Sequence, residues 1–389
     1  MVLIAVIVAL LIVLVVIATS FLRTDEVSIR MDEGKEIPVM LIVQQNQQII
    51  LSHLLLFNAK TGRMAMLDVP ENLGAIIGSL GRVDSLNTLY GLKGRDAYLE
   101  TLAKILDLEM PFWFELSLED LRNTVDFLHG LPVFITDSID SATKDGKLYR
   151  IPNGNQVLDG DKVADFLSWT QAEEREVERS NRRWAFTKAF LARLAEYKGM
   201  TGNSAFITYL KRYLITNMDE RMLLSFTKLL GTVNFEAMLT QKILGNTRDV
   251  ETAEGVKSLL FPHFEGQLVK DSIRQVLSSL SSADASKDGT PIRIEILNGT
   301  ALPGMAKKAS DLYVNYGYEV TRFGNSTNEN QAFSQVIDRK GNPDIAQRAA
   351  KIIRCERVST QVAGAEATDG KDIDVTIILG KDFDGWYVK

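Results

Sequence analysis

The clearest chemical signal in this 389-residue chain is a run of guanidinium groups. Arg175, Arg179 and Arg182 follow i, i+4, i+7 spacing, so on a helix they share one face, and Arg183 stands beside them. Planar guanidinium forks suit bidentate contacts, so that face could hold an anion such as phosphate. Glu173, Glu174, Glu176 and Glu178 are interleaved with it, and Glu178 precedes Arg182 by four residues. That pattern also describes a solvated, self-paired helix. Arg179, Arg182 and Arg183 are therefore candidate phosphate-binding residues, with a plain charged helix as the competing reading. The other reactive residue types offer less. His53, His129 and His263 lie far apart with no metal-ligand spacing, and Cys355 is the single cysteine. Disulfide frameworks and zinc fingers are excluded, and the residues point to no catalytic group and no metal site.

The elements that must position these groups start with an apolar run. Met1 to Ala18 contains no charged or hydrogen-bonding side chain, and with Thr19 to Leu22 it reaches the roughly 30 Å of a bilayer core. We expect an uncleaved transmembrane anchor over 1–22. A cleaved signal peptide is the alternative, disfavoured because the run is longer than the usual h-region and no basic residues precede it. Apolar residues are 46% of the chain and charged residues 24%, which argues against wholesale disorder and against further spans. The net charge of -6 leaves no global electrostatic reason to bind nucleic acid, so no nucleic-acid partner is expected.

A charged tether is expected over 23–37 and an α/β body over 38–280. Within the body, apolar β-rich runs flank a turn at Lys60–Arg63, where Gly62 supplies positive φ. A helix is expected over Arg95–Leu106, and Phe112–Leu116 alternates as a strand. Ser117 then reads as an N-cap, with an acidic residue three positions on. Asp161–Tyr197 reads as one long charged helical region, followed by helices at about Gly202–Leu214, Met218–Leu230 and Lys270–Leu280. Alternation of strand and helix argues a layered α/β body rather than a bundle. The Ser/Asp/Ala-rich stretch 281–290 reads as a flexible linker. After it, 291–389 has the order β-α-β-α-β of a small two-layer domain with both helices on one face.

Two stretches resemble known families. Ile292-Arg-Ile-Glu-Ile-Leu-Asn298, Gly304, Ala306, Leu312, Gly317 and the closing Leu379-Gly380-x-Asp382 resemble the LytR C-terminal domain. Asp84-Ser-Leu-Asn87-Thr-Leu-Tyr90-Gly91, Leu121 through Gly130-Leu-Pro-Val133, and Leu158-Asp159-Gly160 resemble a diverged LytR-CpsA-Psr domain. The resemblance implies a single-pass protein of the cytoplasmic membrane with its body on the extracytoplasmic side. It also implies transfer of glycopolymers from polyprenyl-diphosphate carriers to peptidoglycan, with arginines, and often Mg2+, holding the diphosphate. This chain departs from that pattern. The family's first Arg-x-Asp falls on Gln48 and Ile50, its Pro-Arg-Asp on Pro70-Glu71-Asn72, and its later arginine pair on Ser168 and Thr170. The cluster Arg179-x-x-Arg182-Arg183 remains. At ~4 Å and an effective dielectric near 20, putting a carboxylate where a cation should meet phosphate is a swing on the order of 8 kcal/mol before screening. We therefore expect a degenerate, non-transferring envelope protein without a cofactor. It would act by binding peptidoglycan, a lipid-linked glycan or another envelope protein. The alternative is an active phosphotransferase in which the three arginines suffice and Mg2+ is required.

Overall fold

A computed structural model describes residues 25–142, 148–169, 176–196, 204–281, 292–316, 318–361 and 373–389. The expected anchor over 1–22 lies outside the described residues, as does nearly all of the expected linker at 281–290. Among the described residues no helix is long and apolar enough to cross a membrane. The chain divides into two compact units. Of the described residues, those within 25–45, 56–62 and 110–233 form the first, and those within 46–55, 63–109 and 234–389 the second.

In the first unit, strand Ile37–Gln45 pairs in parallel with Phe112–Ser117, which pairs antiparallel with the short strand Ile215–Thr216. Strand Ile37–Gln45 is buried along seven consecutive residues, the pattern of a strand covered on both faces. Phe57 and Phe114 each pack a ring against Phe226 of helix Glu220–Leu230. The stretch expected to be a charged tether contains a helix, Glu26–Glu33. Its eight residues are too few to show periodicity, but both ends are specified. The Asp25 side chain accepts the Ser28 N–H, and Gly34 closes the helix at φ 69°. Fully buried Val27 and a hydrogen bond from Ser225 Oγ to Asp25 (2.7 Å) hold it in the unit.

Ser117 caps helix Leu118–Phe127 as expected, accepting the Asp120 N–H. The motif Leu158-Asp159-Gly160 is explained by packing. Asp159 caps helix Gly160–Ser168, and the Gly160 N–H donates to Asp126 Oδ1 at 2.8 Å. A Cβ on Gly160 would lie 2.3 Å from the Arg122 carbonyl oxygen, so only glycine permits this approach. The long helical region expected over Asp161–Tyr197 is two helices, Gly160–Ser168 and Glu176–Glu196. The first ends where Trp169 turns to extended backbone.

In the second unit, strand Leu239–Lys242 runs parallel to Arg63–Asp68. Helices Leu86–Lys93 and Arg95–Leu106 follow the small hairpin of strands Gly74–Ile77 and Arg82–Ser85. The long hairpin Gly245–Thr252/Gly255–Pro262 leads through a kink at Phe264 and Glu265 (φ 52° and 53°) into helix Gln267–Ser281. The terminal segment of the same unit forms a five-stranded sheet. It contains the three expected strands and two more, Gln335–Asp338 and Val358–Thr360, both too short for alternation to reveal. Ile294, Ile296, Val375, Ile377 and Leu379 share one core with helices Met305–Asn315 and Pro343–Ile352. The Tyr313 hydroxyl donates to the Ala349 carbonyl (2.8 Å), tying the two helices together on one face.

The terminal sheet does not stand apart. Leu268 of helix Gln267–Ser281 belongs to its core, and Leu244 packs against it. The Trp386 ring packs tilted against His263 (4.3 Å between centroids), Tyr387 packs tilted against Phe264 (5.5 Å), and the Arg354 guanidinium lies 3.9 Å over the Tyr387 ring. The chain's last residues thus cover the kink that precedes helix Gln267–Ser281.

Candidate functional site

The site is a cavity of about 500 Å³ in the second unit. Its rim begins at a tight turn in which Asn46 and Gln47 both take left-handed φ (51° and 63°), as a type I′ turn requires. Asn46, Gln47 and Gln48 line the opening. Helix Leu86–Lys93 holds this turn from below. Asn87 reads both backbone groups of Ile49, accepting its N–H (2.8 Å) and donating to its carbonyl (3.2 Å). A Cβ on Gly91 would come within 3.1 Å of the Gln47 carbonyl, so the helix approaches closely there.

Most of the Asp84–Gly91 motif is structural. Asp84 is buried, accepts the Ser85 N–H and pairs with Arg82 at 2.9 Å. Burial would raise its pKa, but hydrogen bonds from Ser85, Arg82 and Thr88 and the Lys257 charge outweigh that and hold it below the usual carboxylate range. Ser85 caps the helix, accepting the Thr88 N–H, and its hydroxyl meets that of Thr88 at 2.9 Å. Tyr90 packs edge-on to Tyr98. Beneath lies a buried polar group in which Ser52 bonds the Tyr98 hydroxyl and His53 faces Asp68 at 3.3 Å. Burial drives the Tyr98 phenol far above its ordinary pKa.

The opposite wall comes from the long hairpin. Lys257 reaches Thr88 Oγ1 (3.2 Å) and forms an ion pair with Glu254 (2.6 Å). Asn72 donates to the Ser258 carbonyl (3.1 Å), its own carbonyl accepts the Leu260 N–H (2.9 Å), and so Glu71 is carried to the cavity wall. The charged lining is therefore Glu71, Glu254 and Lys257. Among the described residues no group of three or more His, Cys, Asp or Glu converges as a metal site.

Of the altered clamp positions read from sequence, Gln48, Glu71 and Asn72 line one cavity, Ile50 and Ser168 are not among its lining residues, and Thr170 lies outside the described residues. Ser85, Thr88, Glu254 and Lys257 were not anticipated. The first two lay inside a recognised motif but without a chemical signature, and the hairpin pair joins them only through folding. Arg179, Arg182 and Arg183 are not among the lining residues; they lie on helix Glu176–Glu196 of the first unit. Arg182 donates to the Trp169 carbonyl (2.7 Å), and its guanidinium lies 5.2 Å from the centre of the Trp169 ring. Arg183 is buried, 2% exposed, with Ser180 Oγ at 3.5 Å. Arg175 lies outside the described residues. His129 is an exposed residue at φ 57°, where helix Leu118–Phe127 gives way to a loop.

Comparison with known proteins agrees with this architecture. Residues 46–265 match the LytR_cpsA_psr family, and residues 291–383 match the LytR cell envelope-related transcriptional attenuator domain. The chain belongs to the LytR_cpsA_psr family. It is 23% identical over 172 residues to the polyisoprenyl-teichoic acid–peptidoglycan teichoic acid transferase TagU of Bacillus cereus (strain AH820), covering 44% of this chain and 55% of that protein. It is 23% identical over 156 residues to the protein of the same name from Bacillus subtilis (strain 168), covering 39% of this chain and 49% of that one. The chain thus spans about half the length of these two relatives. Among solved structures, B. subtilis TagV superposes with a TM-score of 0.52 at 14% identity, over 63% of this chain and 98% of that one. The protein gbs0355 of Streptococcus agalactiae gives 0.54 at 14% identity, over 64% and 90%. These likenesses establish the shared α/β fold.

Proposed function

We propose that this chain is a membrane-anchored, extracytoplasmic cell-envelope protein that binds a glycan or envelope partner and does not transfer it. The apolar segment 1–22 supplies the anchor, and the family supplies the envelope setting, since its relatives are named as teichoic acid transferases to peptidoglycan. One observation carries the reading against catalysis. Gln48 and Glu71 stand at positions expected to be cationic, and they line the same cavity as Glu254. Among the described lining residues the cation is Lys257, and it is already paired with Glu254. A polyprenyl diphosphate would meet more negative than positive charge there, and repulsion between like charges at contact distance is worth several kcal/mol even when partly solvated.

The experiment is a transfer assay with the full chain, a polyprenyl-diphosphate-linked glycan, peptidoglycan acceptor and Mg2+. The expected result is no glycan on the acceptor and no release of the lipid phosphate. Transfer that disappears in Arg182→Ala would overturn the reading in favour of a phosphotransferase built on Arg179, Arg182 and Arg183.

A further inference from the structure

We propose that the terminal sheet controls the cavity through a strap. Residues Phe383–Val388 clamp the backbone kink at Phe264 and Glu265, and that kink sets where the hairpin Gly245–Thr252/Gly255–Pro262 stands. The inference holds whether the cavity binds its ligand or transfers it. It starts from the backbone. Phe264 and Glu265 both take left-handed conformations (φ 52°, ψ 47° and φ 53°, ψ 31°). For a residue with a side chain that region crowds Cβ against the following carbonyl, so two in a row persist only where the surroundings hold them.

The strap supplies that hold, and it is braced by its own sheet. A β-bridge joins Phe383 to Val388, and the Asp384 side chain accepts the N–H groups of Trp386 and Tyr387, each at 2.9 Å. Phe383 is buried in the core of the terminal sheet, and the Val388 N–H donates to the Ile353 carbonyl (2.7 Å), so the loop moves with that sheet. From this base Trp386 packs against His263 and meets Phe264 edge-on (6.3 Å between centroids), while Tyr387 covers Phe264 from another side. The Arg354 guanidinium over the Tyr387 ring also pairs with Asp271 of helix Gln267–Ser281 at 3.8 Å.

On the far side of the kink the His263 N–H donates to the Leu244 carbonyl (3.1 Å), which closes the base of the hairpin, and Gly245 pairs with Pro262. Residues 245–258 contain no buried side chain, so the position of this ribbon is set at its base. Leu259, 1% exposed, and the Leu260 N–H to the Asn72 carbonyl form a pivot, and beyond the pivot the hairpin carries Glu254 and Lys257 to the cavity wall. Strap, kink and hairpin are therefore contiguous. The element with two arrangements is the kink, left-handed under the strap and relaxed without it.

The test is amide hydrogen exchange, read by mass spectrometry on the full chain in detergent, for the parent, Trp386→Ala and Arg354→Ala. The Arg354 side chain is 57% exposed, so its variant loosens the hold on Tyr387 without opening the sheet core. In Trp386→Ala, exchange across residues 246–258 and at the kink rises by about tenfold, the scale of one lost aromatic contact. In Arg354→Ala it rises in the same direction by several-fold, the scale of one cation–π contact. Strands Arg293–Asn298 and Val375–Leu379 exchange as in the parent. If Trp386→Ala loosens those strands too, Arg354→Ala decides. Hairpin exchange unchanged in Arg354→Ala overturns the proposal. So does an equal rise in the hairpin and in the two strands of that variant, which would make the strap a part of the terminal fold and nothing more.

Discussion

Replacing Glu71 by arginine restores, at one position, the charge expected of a diphosphate clamp. Glu71 is half-buried at the cavity wall, with Asn72 beside it anchoring the backbone to the long hairpin. At about 6 Å and an effective dielectric near 40 for a half-exposed site, one charge pair is worth about 1.4 kcal/mol. Changing the side chain from -1 to +1 moves a bound phosphate charge by twice that, about 3 kcal/mol, which is roughly a hundredfold in affinity. Glu71→Gln removes only the repulsion and should recover about half of the free energy, close to tenfold. Calorimetry with inorganic pyrophosphate and Mg2+ measures all three proteins, and the Glu71→Arg gain should shrink as salt is raised. Equal pyrophosphate affinity for parent, Glu71→Gln and Glu71→Arg would refute the electrostatic reasoning. So would tight pyrophosphate binding by the parent itself.

Two further outcomes follow from the geometry. Asn87→Ala removes both hydrogen bonds to Ile49 and leaves its backbone groups partly unsatisfied, so chemical denaturation should show a loss of about 2 kcal/mol, and amide exchange at Ile49 should accelerate. Burial lowers the pKa of His263, whose ring packs against Trp386. A base depressed in the folded state binds its proton more readily when unfolded, so stability is lost as pH falls through the ordinary histidine value of about 6.5. Thermal midpoints should therefore decline below that pH in the parent and decline less steeply in His263→Gln; identical profiles would show that the contact carries no such linkage.

Local signals that bear on single elements were readable from sequence. Ser117 before Leu118–Phe127, Gly62 at a hairpin turn and the apolar spacing of Arg95–Leu106 each act within a few residues, so the string of residues contains all that is needed. Elements only a turn or two, or a few strand residues, in length escaped. The helix Glu26–Glu33 is specified by caps and a single buried valine, and strands Gln335–Asp338 and Val358–Thr360 by pairing with distant strands. The break near Trp169 carries no glycine or proline, so no local punctuation announces it.

At the candidate site the division has the same cause. Loss of cations at Gln48 and Glu71 is a property of residue identity, and a reading of types and positions reaches it. That those two residues line a common space could not come from spacing, because residues 46–48, 71–72, 85–92 and 254–259 are far apart in the chain and meet only through packing. The same holds for the cations that remain. Helical periodicity placed Arg179 and Arg182 on one face with Arg183 beside them, but burial of Arg183 and the hold of Trp169 on Arg182 depend on neighbours brought from elsewhere in the fold. Charge inventory is carried by the chain itself, whereas which charges share a cavity is settled by long-range packing.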